Sequence, residues 1–369
     1  MDRNKIKKYL FFFDSRATFA YANNIIKVFK KKKINYKIIV SGNYLEKEMK
    51  INKNIFKKNR LKITSSIKFR SPTRSIDYWP KSFGKAMIDY SEKLKKIKPD
   101  IVIITGDRIE TLAFCITCAY MNIPIAHVQA GDKSGHIDDL SRAAISKFAN
   151  LHFAPSYQAC KRLIEWGENQ KRIFFTGAPQ LDDMAFKKKI NKLDYFIVIF
   201  HPVLNEQEEI NYQLNNLIRA INKSQIKAIW IYPNNDMGYK KILSKIKKNK
   251  KKNIKIVSNY ERSEFVKLMQ RSKGIIGNSS AGIIEASIYK IPVVNIGSRQ
   301  NGRPQSKNIV NCKYDYKSIL DKINYIRKNK NFLRSLKKTK NPYFIKNSSY
   351  RITSILMKIK KNSDLLKKF

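Results

Sequence analysis

Acidic residues are scarce in this chain. Its 369 residues hold 28 aspartates and glutamates against 76 lysines and arginines, a formal net charge of +48 at pH 7. Long apolar runs are missing too. None reaches the ~18 residues that a membrane-spanning helix needs, so no membrane insertion is expected. The basic N-terminus leads into one short apolar run, YLFFF at residues 9–13, closed at once by Asp14 and Arg16. That run is too short for the core of a signal peptide and suits a first β-strand, which makes a cytoplasmic location the expectation. Four cysteines in a chain of this length exclude a disulfide framework. Cys115 and Cys118 form a CxxC, but inside the apolar stretch LAFCITCAYM, at helical spacing and with no second ligand pair nearby. Buried small side chains are expected there rather than a metal or redox site. No GxGxxG follows the first strand, so the dinucleotide fingerprint is absent. There is no internal repeat and no long low-complexity linker.

The excess of positive charge admits two readings. One is neutralisation of nucleic-acid phosphates. The other is compositional: Lys, Asn and Ile are abundant throughout, and the lysines fall in scattered tracts at residues 30–33, 187–189, 247–252 and 337–340. No aromatic-interleaved RNA-binding motif or helix-turn-helix accompanies them. The compositional reading is preferred and no specific nucleic-acid partner is expected. Weak attraction to anionic surfaces stays open.

What the chain does contain is a regular alternation of strand-like and helical patterns. Strand-like runs lie at 9–13, 36–40, 101–105, 124–128, 151–154 and 172–176. A second series lies at 195–200, 227–232, 254–257, 274–276 and 292–295. Helical patterns separate them, as at 108–121, 156–165 and 206–222. Alternating β and α predicts parallel sheets with helices on both faces. Two series predict an α/β protein of two doubly wound, Rossmann-like domains, at residues 1–186 and 194–345, with the hinge in the basic stretch near 187–193. Residues 346–369 read as an amphipathic helix and tail.

The most specific stretch is GIIGNSSAGIIEASIYKIPVVNIGSRQNGR, residues 274–303. It reads as a strand, a small-residue turn, a helix, a second strand and a basic loop. A small-residue turn into a helix presents unpaired backbone N–H groups and the positive end of the helix dipole, which suits a diphosphate. Asn278, Ser279 and Ser280 stand in that turn. Glu285 is expected near the start of the helix, where a carboxylate accepts bonds from ribose hydroxyls. Arg299 and Arg303 in the closing loop meet phosphate charge. The physical reading is a nucleotide-diphosphate site. The alternative for the turn alone is an ordinary Ser N-cap.

This stretch resembles the nucleotide-binding half of the hydrolysing UDP-N-acetylglucosamine 2-epimerases of sialic-acid-type sugar synthesis. Five further stretches extend the resemblance. SRA at 15–17 brings Arg16, whose counterpart in the family approaches the nucleotide phosphates; read from the residues alone, a surface salt bridge is the alternative. TGDRIETLA at 105–113 matches the family's GDR-E motif, in which the aspartate, here Asp107, belongs to the catalytic set. Read from the residues alone, Asp107 is either an N-cap, with Glu110 closing a capping box, or a general base at a strand's carboxyl end. HVQAGDKSGHIDDLSRAAI at 127–145 resembles a segment whose acids and arginine act at the sugar, here Asp138 or Asp139 and Arg142. Acids at a helix start also suit the dipole, which accounts for one of the two. FHPVLNEQEE at 200–209 carries His201, which the resemblance assigns to the active site, and IYPNNDMG at 231–238 carries Asn234, assigned near the nucleotide. Turn chemistry is the alternative for both. Of only four histidines, His127, His136 and His201 fall in loops expected to line the cleft, and His127 joins the substrate-binding set. Two departures stand out: Gln129 where many members carry an acid, and Ala143 where a histidine usually follows the arginine.

The resemblance implies the glycosyltransferase-B-like architecture, two Rossmann-like domains facing a cleft, with the last helix crossing back to the first domain. It implies elimination of UDP to a glycal followed by hydration, yielding N-acetylmannosamine and free UDP, with no metal and no nicotinamide cofactor. A nucleotide sugar is the expected partner, and a homo-oligomer the expected state. The same chemistry on a diacetylbacillosamine-type or GDP-linked sugar is the first alternative. A glycosyltransferase of the same fold is the second, and a basic nucleic-acid- or membrane-binding protein the last.

Overall fold

The computed structural model describes residues 8–42, 56, 59–69, 78–135, 138–184, 191–234, 238–249, 251–359 and 365. The chain divides into two compact units. The first comprises residues up to Asp132, residues 138–183 and the segment from Tyr343 onward; the second comprises residues 133–137 and 184–342. Much of the expected hinge, residues 187–190, lies outside the described residues.

In the first unit the strands are β1 (Tyr9–Phe13), β2 (Tyr36–Ser41), β3 (Ser65–Ile67), β4 (Ile101–Thr105), β5 (Ile125–Val128), β6 (Leu151–Ala154) and β7 (Ile173–Phe175). They form one sheet in the order β3-β2-β1-β4-β5-β6-β7, and every pairing is parallel. Helices α1 (Arg16–Lys31), α2 (Tyr78–Ile97), α3 (Ile109–Tyr120), α4 (Asp138–Phe148) and α5 (Tyr157–Glu165) connect them. Because helices cover both faces, the central strands are buried on both sides and read as unbroken apolar runs. All five residues of β1 are buried, as are those of β4. Phe11 and Phe13 point to one core with Phe29 and Ile38; Leu10 and Phe12 point to the other, where Phe12 stacks on Phe114 at 4.1 Å between centroids. Cys115 and Cys118 lie in this second core, fully buried.

The second unit repeats the plan. Its strands are β8 (Phe196–Ile199), β9 (Ala228–Ile231), β10 (Ile254–Val257), β11 (Gly274–Gly277), β12 (Val293–Ile296) and β13 (Ile309–Cys312). They form a parallel sheet in the order β10-β9-β8-β11-β12-β13. Helices α6 (Ile210–Ser224), α7 (Tyr239–Lys248), α8 (Arg262–Arg271), α9 (Ser280–Ile284), α10 (Tyr316–Lys328) and α11 (Lys330–Ser335) belong to it. Both sheets thus share the same winding, with the order reversing between β1 and β4 and again between β8 and β11.

The last described helix, α12 (Ser348–Lys358), packs in the first unit beside α1. Asp182 takes its first turn: the backbone N–H groups of Ser348 and Ser349 donate to the two carboxylate oxygens at 3.0 and 2.7 Å. Tyr9 Oη donates to the Leu356 carbonyl at 3.3 Å. Among the described helices none is long and apolar enough to cross a membrane.

Two strands escaped the sequence reading. β3, Ser-Ser-Ile, lies in the stretch 44–82 that carried no element, and β13 follows a polar loop. Both sit at sheet edges and are half exposed, so neither shows an apolar run.

Candidate functional site

In an open parallel sheet, the crevice for a ligand lies beyond the carboxyl ends of the strands where the strand order reverses. In the first unit that point is followed by Asp14–Ser15 after β1 and Gly106–Asp107 after β4. In the second it is followed by Phe200–His201 after β8 and Asn278–Ser279 after β11. The sequence motifs converge on these turns.

In the second unit Asn278 is the hub. Its buried side chain clamps the backbone of His201: Oδ1 accepts from the His201 N–H at 2.7 Å, and Nδ2 donates to the His201 carbonyl at 2.9 Å. This approach requires Gly277, which takes φ +133 and where a Cβ would stand 1.9 Å from the Ile199 carbonyl oxygen. The Asn234 N–H donates to His201 Nδ1 at 3.0 Å, so the neutral ring carries its proton on Nε2. The main-chain carbonyl of Asn278 receives Arg299 Nη1 at 3.2 Å and Gln300 Nε2 at 2.9 Å. Arg303 Nη1 in turn donates to Gln300 Oε1. His201, Asn234, Asn278, Arg299 and Arg303 are therefore one linked group. Ser279 caps α9, its hydroxyl accepting from the Ala281 N–H, and Ser280 opens the helix.

One expectation is corrected here. Glu285 does not stand near a helix start, because α9 is only Ser280–Ile284. Glu285 is its C-cap. The chain then tightens into a 3-10 turn at Ala286–Tyr289 and stops at Lys290, φ +56, two residues before Pro292. The Glu285 carboxylate is buried and takes Arg262 Nη1 at 2.6 Å, a partner the sequence reading missed.

In the first unit Arg142 is the hub. Its guanidinium pairs with Asp107 through Nη2 and with Asp139 through Nη1, and Nη1 also reaches the Asp132 carbonyl at 3.1 Å. The Arg142 side chain is 3% exposed, whereas Asp107 and Asp139 are 23% and 20% exposed. Two reachable carboxylates thus rest on a buried cation, which offsets their mutual repulsion. Asp138, half-buried, opens the same helix, α4.

Asp107 does not close a capping box with Glu110. The N-cap of α3 is Arg108, without a side-chain cap bond. Glu110 is buried and its carboxylate meets Arg108 Nε at 3.4 Å. Burial, with the Asp14 carboxylate adding to it, pushes the Glu110 carboxyl up to about 7 against the pull of Arg108. Burial likewise raises Asp14, which accepts from Thr111 Oγ1 at 2.5 Å and Thr18 Oγ1 at 3.1 Å. The sequence reading passed over Asp14; an acid directly after an apolar strand was its only signal.

His127 is also displaced from its expected part. It is fully buried on β5, with Nε2 at 2.9 Å from the Gly106 carbonyl and Nδ1 at 3.4 Å from Ser146 Oγ. Burial lowers its pKa to about 3, so the ring is neutral. It braces the turn before Asp107 from behind. Gln129, at φ +69, is buried and donates from Nε2 to Gln180 Oε1 at 2.9 Å. Arg16 is the first residue of α1; its side chain, and all of His136, lie outside the described residues.

With this geometry in hand, comparison with known proteins is direct. The family model of UDP-N-acetylglucosamine 2-epimerase matches residues 27–357. The chain belongs to that family. It is 31% identical over 330 residues to a UDP-N,N'-diacetylbacillosamine 2-epimerase (hydrolyzing) of Legionella pneumophila, covering 85% of this chain and 87% of the relative. It is 34% identical over 251 residues to a UDP-N-acetylglucosamine 2-epimerase of Neisseria meningitidis, covering 65% and 67%. In fold it is similar to the UDP-GlcNAc 2-epimerase of Methanocaldococcus jannaschii, solved with UDP-GlcNAc and UDP: TM-score 0.78 at 22% identity, over 95% of this chain and 99% of that one. The family's fold class, two Rossmann-like α/β units of the glycosyltransferase-B kind, is the one expected from the sequence.

Proposed function

We propose that the protein is a hydrolysing nucleotide-sugar 2-epimerase that converts UDP-N-acetylglucosamine into N-acetylmannosamine and free UDP. The observation that carries this reading is Arg142 held between Asp107 and Asp139 at the turn after β4, in a chain of this family. The C2 proton of a sugar is only weakly acidic. Its removal becomes feasible when the diphosphate leaves from C1 at the same time. A carboxylate takes the C2 proton, the C1–O bond breaks with its electron pair going to UDP, and a C1=C2 double bond forms. Water then adds its oxygen at C1, and a proton returns to C2 from the opposite face, which inverts that centre. This sequence needs one group to remove a proton and another to deliver one. Asp107 and one of Asp138 and Asp139 fill those parts in this reading.

The second unit supplies the leaving group's site. Arg299 and Arg303, with the hydroxyls of Ser279 and Ser280, meet the diphosphate, where positive charge favours departure. His201 and Asn234 stand beside them, and Glu285 receives the ribose hydroxyls while Arg262 holds its carboxylate. The product is of the kind that sialic-acid-like and surface-polysaccharide synthesis consumes. A cytoplasmic homo-oligomer completes the proposal.

The likeness to the Legionella enzyme favours one second reading, the same chemistry on a UDP-linked N,N'-diacetylbacillosamine. The test is incubation of the pure protein with a panel of UDP- and GDP-sugars in deuterated water. The reading expects free nucleotide diphosphate in equal amount to an epimerised sugar, with deuterium at C2 and solvent oxygen at C1. A product that keeps its nucleotide, or that has no solvent hydrogen at C2, defeats it. Transfer of the sugar to an added acceptor would return the glycosyltransferase reading.

A further inference from the structure

One carboxylate beside the basic loop has no part in the reaction just described. Glu206 ends a single 3-10 turn, Leu204–Glu206, in the loop after β8. An acid is a costly neighbour for a diphosphate site, because its charge opposes the ligand's. Here both of its oxygens are engaged by protein donors. Oε1 accepts from Ser298 Oγ. Oε2 accepts from Tyr314 Oη at 2.6 Å and from Gln213 Nε2 at 2.8 Å. Tyr314 Oη closes the ring of contacts by accepting from the Ser298 backbone N–H at 3.3 Å.

Ser298 immediately precedes Arg299. The residue before it, Gly297, takes φ +74, and the Tyr314 ring lies where its Cβ would be, 1.9 Å from the ring carbon bearing the hydroxyl. The chain leaving β12 is therefore pressed onto Tyr314 at Gly297, tied at Ser298 by both backbone and side chain, and anchored one residue later by Arg299 on the Asn278 carbonyl. Burial and the Glu206 carboxylate together push the Tyr314 hydroxyl well above its ordinary pKa, so it stays protonated and keeps donating.

We propose that Glu206, acting with Tyr314, is a positioning residue that sets the Ser298–Arg303 loop and thereby aims Arg299. Glu206 touches no reacting atom. Its effect reaches the ligand only through the loop. The consequence for nucleotide binding rests on the function proposed above, whereas the consequence for the loop does not.

The experiment uses the full-length protein, with Glu206→Gln and Tyr314→Phe alone and combined. Glutamine keeps the shape but removes the charge, and its amide nitrogen must either face the two donors on Oε2 or force the Ser298 hydroxyl to turn from donor to acceptor. Phenylalanine removes a single oxygen, so it keeps the test alive if the glutamine variant does not fold. The first measurement is amide hydrogen exchange at residues 298–303 without ligand, where each single variant should exchange about tenfold faster or more. The second is UDP affinity by calorimetry, where each should bind about tenfold more weakly. In turnover the loss should appear in KM and also in kcat, because the loop aims Arg299 at the departing diphosphate. The double variant should be no worse than the weaker single one, since both break one network. Folded variants with unchanged exchange at 298–303 overturn the proposal, as does unchanged UDP affinity where the wild type binds UDP. Faster exchange in a protein whose wild type ignores UDP would leave the positioning role intact and remove the function reading instead.

Discussion

Asn278 offers a severe test of how the second unit holds its site. Its side chain makes two hydrogen bonds to one buried residue, both to backbone groups of His201, across 77 positions of sequence. Asn278→Ala removes both and leaves a buried N–H and a buried C=O without their partner. Each such group costs about 1–3 kcal/mol, so the expected loss is about 2–6 kcal/mol. The contacts from Arg299 and Gln300 go to the Asn278 main-chain carbonyl and survive the substitution. Asn278→Asp tests the direction of the bonds. Aspartate still accepts from the His201 N–H, but its second oxygen now faces the His201 carbonyl, an acceptor against an acceptor. Only the protonated acid can donate there, so the carboxyl's pKa should rise in the folded state. A raised folded pKa gives stability that is present at low pH and lost as pH rises through it. Asn278→Asp should therefore be less stable than Asn278→Ala at neutral pH and recover toward it on acidification. Because the chain has two units, a single unfolding curve would mix their transitions. Hydrogen exchange at the amides of β8 and β11 isolates the unit concerned. Protection within about 0.5 kcal/mol of wild type in Asn278→Ala would refute the clamp, for a surface-like site shows changes of that size.

Asp107→Asn should abolish turnover while UDP affinity measured by calorimetry stays near wild type, and a stable, active Asp107→Asn protein would return that residue to a structural role. Arg299→Ala should weaken UDP binding by about 1.5–3 kcal/mol, the weight of a charge-assisted bond; calorimetry showing equal affinity would remove it from the site. Glu110, pushed up to about 7 by burial, favours the folded first unit most below the ordinary carboxylate range and less as pH rises through 7. Glu110→Gln should accordingly gain stability relative to wild type between about pH 5 and pH 8, by a few kcal/mol at most, read from urea titrations that follow the first unit. An equal difference at both pH values would contradict that origin.

The strands that position both sites were legible because parallel strands covered on both faces leave unbroken apolar runs, as in Tyr9–Phe13 and Ile101–Thr105. The edge strands Ser65–Ile67 and Ile309–Cys312 were not, since exposure on one side admits polar residues. Among site residues, the sequence indicates which turns matter but not which side chains face outward. His127 stands in a promising motif, yet both faces of its strand are covered, so no periodicity marks it as buried. Arg262 belongs to a helix with no motif, and only the fold brings it to Glu285. Glu206 sat inside a quoted motif, but its partners Ser298 and Tyr314 lie 92 and 108 positions away, beyond any local pattern. The expected helix start at Glu285 failed for a local reason: a helix of five residues ends before the glutamate is reached.

The first unit is built from chain segments that lie on either side of the second unit in sequence. Helix α12, whose first turn rests on Asp182 and whose Leu356 carbonyl receives the Tyr9 hydroxyl, follows the whole of the second unit in the chain. A growing polypeptide therefore completes the second unit while the first still lacks the helix that covers α1. Until then Ile25, Ile26 and Phe29 wait for Ile352 and Leu356, their later companions in one core. The unit whose strands come first in sequence is thus the last to close its core.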